Sequence, residues 1–511
     1  MNGRCFDVGA VILVCVLLIL STTRLFAQRY VDVQAGYGTL QAAISADSAN
    51  RAANPNTVYR VHRGTADSVY YLTSTLTNWG SMQLRIESIG TGALPTFITT
   101  TLSDGSPMSP MISARANFSL KGVFLNGVNT LGAVVDRIVR IQASPVRVDF
   151  DSCQLNMSSQ AFLRVDNSNA RIFLKNCRVS NIYSDWANAR VVDNRGVTID
   201  TLSMVGCSFY RIAYRVYRDG GGILTYGYFN HNTFTEIGDA IFGLGSTKSF
   251  TFINNLAVNC GFLGKYKSAN TRLISMTPLA SGQTAYVANN VFYSDSTALL
   301  AAYKSISDSI VTDPLFADTL VTFINAAGLT NSNVVSPVTF TMPPSNIVKA
   351  IKIDSIARWY WRNPAVSNLD ASIIKVDSIK FTNLAYNTSA QAYKFGADGK
   401  PAGATDWFGL AVSVEKVTTA LVPNAFSLSQ NYPNPFNPAT TIAYTLPRSG
   451  NVNIVVYDLF GREVVTMVNE SQSAGTYRTI FDATRVSSGT YFYRLMVDGA
   501  IVEARKMMLL K

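Results

Sequence analysis

Phe150-Asp151-Ser152-Cys153-Gln154-Leu155, Leu174-Lys175-Asn176-Cys177-Arg178-Val179 and Met204-Val205-Gly206-Cys207-Ser208-Phe209 repeat one pattern. Three later segments repeat it again: Phe229-Asn230-His231-Asn232-Thr233-Phe234, Ile253-Asn254-Asn255-Leu256-Ala257 and Ala288-Asn289-Asn290-Val291-Phe292. Each carries a small or amide residue and then Cys or Asn. An apolar residue usually follows two places later, with Ala257 the departure. Leu120-Lys121-Gly122-Val123-Phe124 is an earlier, weaker member. The key positions 153, 177, 207, 232, 255 and 290 are 24, 30, 25, 23 and 35 residues apart. A period of about 20–50 residues marks a repeat architecture. The segments are short, rich in Val, Ile, Phe and Leu, and separated by polar turns with few helical patterns. That favours a parallel β-helix over stacked helices. The uneven spacing fits, because turns lengthen without disturbing strands.

In such a coil, like positions stack about 4.8 Å apart. Asn232, Asn255 and Asn290 then form an amide ladder at a sharp bend. Cys153, Cys177 and Cys207 occupy the same column, where Cys acts as a small hydrophobe. Parallel stacked side chains hold their Cβ atoms somewhat beyond the ~3.8 Å of a disulfide, which favours free thiols over a bridge. Export would permit bridges, so both states stay open for these three and for Cys260.

The 511 residues predict two or three domains, and 15 % charged against 48 % hydrophobic residues argues against disorder. Arg4 precedes the apolar run Val11-Ile12-Leu13-Val14-Cys15-Val16-Leu17-Leu18-Ile19-Leu20, and Leu25-Phe26-Ala27 offers a cleavage point. The run is short for a membrane span, so residues 1–27 read as a secretory signal peptide, and no later segment could span a bilayer. Gly38-Thr39-Leu40-Gln41-Ala42-Ala43-Ile44 predicts a short amphipathic helix with Thr39 as N-cap, a lid over the open end of the solenoid.

The Cys/Asn column, the capping segment from Thr39 and Asp313-Pro314-Leu315-Phe316 together resemble the right-handed parallel β-helix of the pectate-lyase-like superfamily. The resemblance implies that fold for residues 28–335. Residues 336–415, with Gly396-Ala397-Asp398-Gly399-Lys400-Pro401-Ala402-Gly403 and Asp406-Trp407-Phe408, read as closing coils or a C-terminal cap, and 416–423 as a linker.

Residues 424–511 differ in character. Val452-Asn453-Ile454-Val455-Val456-Tyr457-Asp458 alternates as a strand, and several short strands follow at regular spacing. Physics alone predicts an immunoglobulin-like β-sandwich, so the chain as a whole reads as all-β. The stretch Asn431-Tyr432-Pro433-Asn434-Pro435-Phe436-Asn437-Pro438 precedes them. Its prolines exclude a central strand and hold an extended lead-in. This stretch resembles the C-terminal sorting domain (type A) of the type IX secretion system of Bacteroidetes-related bacteria, with Asn431, Pro433, Asn434, Pro435, Phe436, Asn437 and Pro438 as its motif. The resemblance implies recognition by the type IX secretion machinery, export through the periplasm, and attachment at the outer membrane or release.

The net charge is +11, and most of the excess lies between residues 28 and 423 without a basic run. Such a surface could attract an acidic polysaccharide or lipid headgroups, or simply be soluble and basic. No motif supports nucleic-acid binding. Enzymes of the resembled superfamily abstract a proton with Arg or Lys beside carboxylate-held Ca²⁺. Arg218 or Lys265 as base, with Asp219, Glu236 and Asp239 holding Ca²⁺, is the corresponding arrangement on successive coils here. Ordinary solvated turn residues are the favoured simpler reading, since no lyase motif matches them residue by residue. Trp359 and Trp361 in Arg358-Trp359-Tyr360-Trp361-Arg362 alternate onto one face and could stack on sugar rings, with core packing as the simpler reading. His62 and His231 are the only histidines, which leaves zinc sites and Ser-His triads poorly supported. The function expected is an exported protein that binds polysaccharide. The alternatives are a lyase acting on uronic-acid glycans and a non-catalytic adhesin or structural protein.

Overall fold

Val146-Arg147-Val148-Asp149-Phe150-Asp151 shows why this chain coils. Val146, Val148 and Phe150 are buried and the residues between them are not. Each coil repeats this alternation, so every strand can stack on its equivalent in the next coil with the apolar side inward. The computed structural model describes residues 28–64, 68–78, 83–182, 188–261, 273–276, 283–295, 297, 333–342 and 383–408, and most of 426–510. The chain divides into two compact units at Ser413/Val414.

The first unit is a parallel β-solenoid of about eight turns. Among the described residues its coils form three parallel sheets of ten, eleven and eight strands, visited in rotation. One coil runs through Val146–Asp151 in the first sheet, Gln154–Ser158 in the second and Ala161–Val165 in the third. Register is kept from coil to coil: Phe150 stands beside Leu174, and Leu155 beside Val179. One continuous core fills the interior, with Phe209 stacked on Phe234 at 5.2 Å.

From Gly122 onward the turn from the first to the second sheet has only two residues, and its conformation explains the repeat. The first residue is left-handed: Gly122 (φ 66), Ser152 (54), Asn176 (51), Gly206 (66), His231 (52), Asn254 (58) and Asn289 (55). Gly and Asn tolerate that region best, hence the small or amide residue in the sequence pattern. The second residue forms the inner column. Asn232 Nδ2 donates to Asn255 Oδ1 (3.0 Å), and Asn255 Nδ2 donates to Asn290 Oδ1 (3.0 Å). Each side-chain oxygen also accepts the preceding Asn backbone N–H at 2.8 Å. Asn333 extends the ladder, accepting from Asn290 Nδ2 at 2.8 Å. In earlier coils Cys153, Cys177 and Cys207 fill the column as buried free thiols, as does Cys260 at another position. Burial pushes the Cys153 and Cys177 thiols well up, so they stay protonated and inert.

The N-terminal helix Thr39–Ala46 buries Leu40 and Ile44, but its N-cap is Gly38, not Thr39. Gly38 is left-handed (φ 65) and its N–H donates to Tyr71 O, so the turn is set by the glycine and Thr39 begins the helix.

Residues 336–342 and 383–408 depart from the expected closing coils or cap. They lie on the outside of the second sheet. Phe340–Met342 pairs antiparallel with Asn383–Tyr386. Val338, Phe340, Leu384, Tyr386, Ala392 and Ala402 cover the outward-facing Tyr210, Leu256, Val258 and Val291. These coils carry apolar residues on both faces of the strand, so the outer face needs a second layer. The cover continues as a strap toward earlier coils. Gly403 N–H donates to Asn254 O, Ala404 N–H to Thr233 Oγ1, and Trp407 Nε1 to Ser208 Oγ (2.7 Å). Arg178 stacks over Trp407 and pairs with Asp406 at 3.0 Å.

His231 latches the strap. Its Nδ1 lies 3.1 Å from Pro401 O and its Nε2 lies 3.1 Å from Asp398 Oδ2. Pro401 O and Asp398 Oδ2 thus hold the buried ring from its two nitrogen sides. Burial raises the Asp398 carboxyl, but the His231 hydrogen bond and charge, with Lys400, outweigh it and hold the pKa at about 2 instead of 3.8. A depressed carboxyl stabilises the folded state above its unfolded pKa and stops doing so as pH falls through the folded one. Acidification from pH 3.8 to about 2 is therefore expected to loosen the strap. The check is faster hydrogen exchange at Gly403 and Ala404 relative to the solenoid core. Unchanged relative rates would rule out the latch.

The second unit has two antiparallel sheets sharing one core. Ser427–Leu428, Ala439–Leu446 and Gly475–Asp482 form one. Glu463–Gln472, Gly450–Tyr457, Gly489–Val497 and Ala500–Leu509 form the other. Ile442, Tyr444, Val452, Ile454, Tyr493 and Leu495 are buried between them.

Candidate functional site

Charge concentrates on the outer face of the third sheet. Parallel register stacks Arg140 on Arg164, Arg164 on Asp193, and Asp193 on Arg218. A neighbouring row runs Arg137, Ala161, Arg190, Arg215. Like charges one coil apart repel, so aspartates from the strands and turns are interposed. Asp166 holds Arg140 and Arg164, the latter at 2.8 Å. Asp193 holds Arg190 (2.7 Å), Arg195 (3.4 Å) and Arg218 (3.4 Å). Asp239 holds Arg215 at 2.7 Å, and Asp136 holds Arg137 at 2.8 Å. Seven arginines thus meet four aspartates in these pairs among the described residues, leaving the face cationic.

The pairs differ in setting. Arg190 is buried beside Asp193, and burial, opposed by Asp193, brings its pKa down to about 10. For Asp166, burial raises the carboxyl, but Arg140 and Arg164 outweigh it and hold it below its usual range. The side chains of Arg140 and Arg218 stay one-third exposed (34 % each), so their guanidinium groups remain reachable from solvent.

This face holds part of the arrangement expected from sequence and disperses the rest. Arg218 and Asp239 lie on it, in separate ion pairs. Asp219 Oδ2 accepts the Gly245 N–H at 2.7 Å. Glu236 lies elsewhere, in the second-sheet strand Thr233–Ile237, left-handed (φ 54) and buried against Arg211 (3.7 Å). The calcium arrangement of Asp219, Glu236 and Asp239 is therefore corrected. Each carboxylate is turned to a different partner, and among the described residues no group of three His, Cys, Asp or Glu could hold a metal. Lys265, Trp359 and Trp361 lie outside the described residues. Asp149 faces outward and pairs with Arg147 at 2.7 Å. Arg140, Arg164, Arg190 and Asp193 were not singled out from sequence. Their signal was the recurrence of Arg in the third strand of successive coils, which shows only once strands are assigned.

The lead-in of the second unit is tied to its last strand. Asn434 Oδ1 accepts the Met508 N–H (2.8 Å), Phe436 N–H donates to Met508 O, and Leu510 N–H donates to Phe436 O. Asn431 N–H donates to the Tyr493 hydroxyl, which donates in turn to Ser429 O, both at 2.7 Å. Phe436 is buried against Phe481. Pro433, Pro435, Asn437 and Pro438 lie outside the described residues.

Residues 430–509 match the family model of the secretion system C-terminal sorting domain. The chain ends in a sorting domain. No curated protein matches the chain in sequence. The sorting domain indicates export to the cell surface or beyond, and implies the type IX machinery as partner. Among the described residues no helix is long and apolar enough to cross a membrane.

Proposed function

We propose that the exported solenoid binds an acidic polysaccharide along the arginine face of its third sheet. The row Arg140, Arg164, Asp193, Arg218 carries the reading, because it sets Arg140 and Arg164 one coil apart, about 4.8 Å, and Arg218 two coils further on, beyond Asp193. A carboxylated or sulfated glycan offers anions in series to such a row. The planar fork of Arg matches them in bidentate fashion. Arg140 and Arg218 each keep about a third of their side chain exposed while paired with the more buried Asp166 and Asp193, so a glycan anion can meet the open side of each guanidinium. Binding is favoured over cleavage. Elimination needs a base free to take a proton, and Arg218 is engaged by Asp193. In this reading residues 1–27 are a cleaved signal, and the mature protein is held at the outer membrane or released.

Electrophoresis through gels containing pectate, alginate or a glycosaminoglycan tests the proposal. Retardation by at least one acidic polymer is expected, with affinity falling about tenfold in the Arg140→Ala/Arg218→Ala double variant. Unchanged retardation in that variant would remove the face from the account. Trp359→Ala/Trp361→Ala is the second arm, and ultraviolet-absorbing unsaturated products would revive the lyase alternative.

A further inference from the structure

A cleft of about 490 Å³ opens where the first sheet turns into the second, away from the arginine face. Arg63, Leu94, Gln154, Asn176, Arg178 and Asp406 are among its walls. Its construction follows from the turns. The tight corners at Ser152-Cys153 and Asn176 make a floor. The longer corner of an earlier coil, residues 92–94, makes one wall, and the end of the strap at Asp406 makes the other. The volume is ordinary for a small-molecule cleft and suits a ligand of sugar size.

Three polar groups there lack a complement. Arg63 donates through Nε to Ser88 Oγ at 2.9 Å, and no carboxylate among the described residues pairs with it. Its guanidinium lies over Gly122, where a Cβ would meet Nη2 at 2.7 Å, so the glycine leaves it room. Asn176 Oδ1 and Asp406 Oδ1 are buried without a hydrogen-bond partner, although Asp406 Oδ2 pairs with Arg178. A buried acceptor left without a donor is costly, so these oxygens mark positions for ligand donors.

We propose that this cleft is a binding site for a small polyhydroxylated anion, such as a sugar acid or a sugar phosphate. Arg63 takes the anionic group, and ligand hydroxyls donate to Asn176 Oδ1 and Asp406 Oδ1. The combination is selective. A neutral sugar leaves Arg63 without its anion, and an inorganic anion offers no donor and meets the Asp406 carboxylate. The site is separate from the arginine face and does not depend on polymer binding.

Titration of the full exported chain with glucuronate, glucose 6-phosphate, glucose and sulfate, followed by calorimetry or ligand-observed NMR, tests it. The first two separate carboxylate from phosphate recognition. At least one sugar anion is expected to saturate at millimolar concentration, about tenfold tighter than glucose or sulfate. Arg63→Ala is expected to weaken it about tenfold. Gln154→Trp, which fills the cleft without touching Arg63's charge, is expected to abolish it. Thermal melting confirms that both variants fold. Absence of saturable binding by either sugar anion, equal binding of glucose or sulfate, or binding that survives both substitutions overturns the proposal. Polymer retardation in gels is read separately, so failure of either site leaves the other standing.

Discussion

Asn255→Ala is expected to destabilise the solenoid by about 3–5 kcal/mol, far more than removal of one small exposed amide would cost. Asn255 is buried and bonded on both sides. Its Oδ1 accepts from the Asn232 backbone N–H and from Asn232 Nδ2, and its Nδ2 donates to Phe229 O and Asn290 Oδ1. The alanine leaves the Asn232 N–H and one Asn232 amide hydrogen without an acceptor, and Phe229 O without this donor. Each buried polar group left unpaired costs about 1–3 kcal/mol, and the range stated is the lower part of their sum. Asn255→Asp keeps the shape but loses both donors and buries a charge, so it should be at least as damaging. Cys177→Ala, in the same column, removes only a weak thiol donor and some packing and should cost about 1 kcal/mol. Urea denaturation followed by circular dichroism measures all three. A similar midpoint for Asn255→Ala and Cys177→Ala would show that the ladder is incidental.

The second large effect is on location. A chain lacking residues 430–509 should remain inside the cell envelope, with near-complete loss from the surface and the medium. The sorting domain has its own core, and among the described residues no side chain of that core belongs to the core of the solenoid. Its removal should leave the solenoid folded, which separates a routing defect from a folding one. Tyr493→Phe is the finer probe. It removes the donor to Ser429 O while leaving the buried ring in place, and should cost about 1–2 kcal/mol of the domain's stability. Cell fractionation with immunodetection reads the truncation. Undiminished surface protein without residues 430–509 would contradict the role assigned to the domain.

The ladder was legible in the sequence because backbone geometry dictates it. A two-residue corner needs a left-handed first residue and an inward second residue, and few residue types satisfy either demand. Asn333 escaped notice because 43 residues separate it from Asn290, longer than any interval in the recognised repeat. The strap was read as closing coils or a C-terminal cap because its sequence does not say which surface it covers. That it covers Leu256 and Val258 depends on the outer face of the coils, which periodicity along one strand does not reveal. Glu236 and Asp239 are three residues apart, but one lies in a second-sheet strand facing Arg211 and the other in the following corner facing Arg215. Charged residues close in sequence therefore gave a poor guide to charged residues close in space. The arginine face emerges from register, since successive coils place Arg140, Arg164, Asp193 and Arg218 in a row that no single segment displays.

The central claim is that the exported solenoid recognises acidic glycans through this row. Binding of the full exported chain to an array of acidic and neutral glycans, measured at low and at high salt, tests it most directly. The account predicts selective binding of carboxylated or sulfated glycans that weakens steeply as salt screens the guanidinium groups. Binding with no preference for acidic glycans, or a preference indifferent to salt, would contradict it.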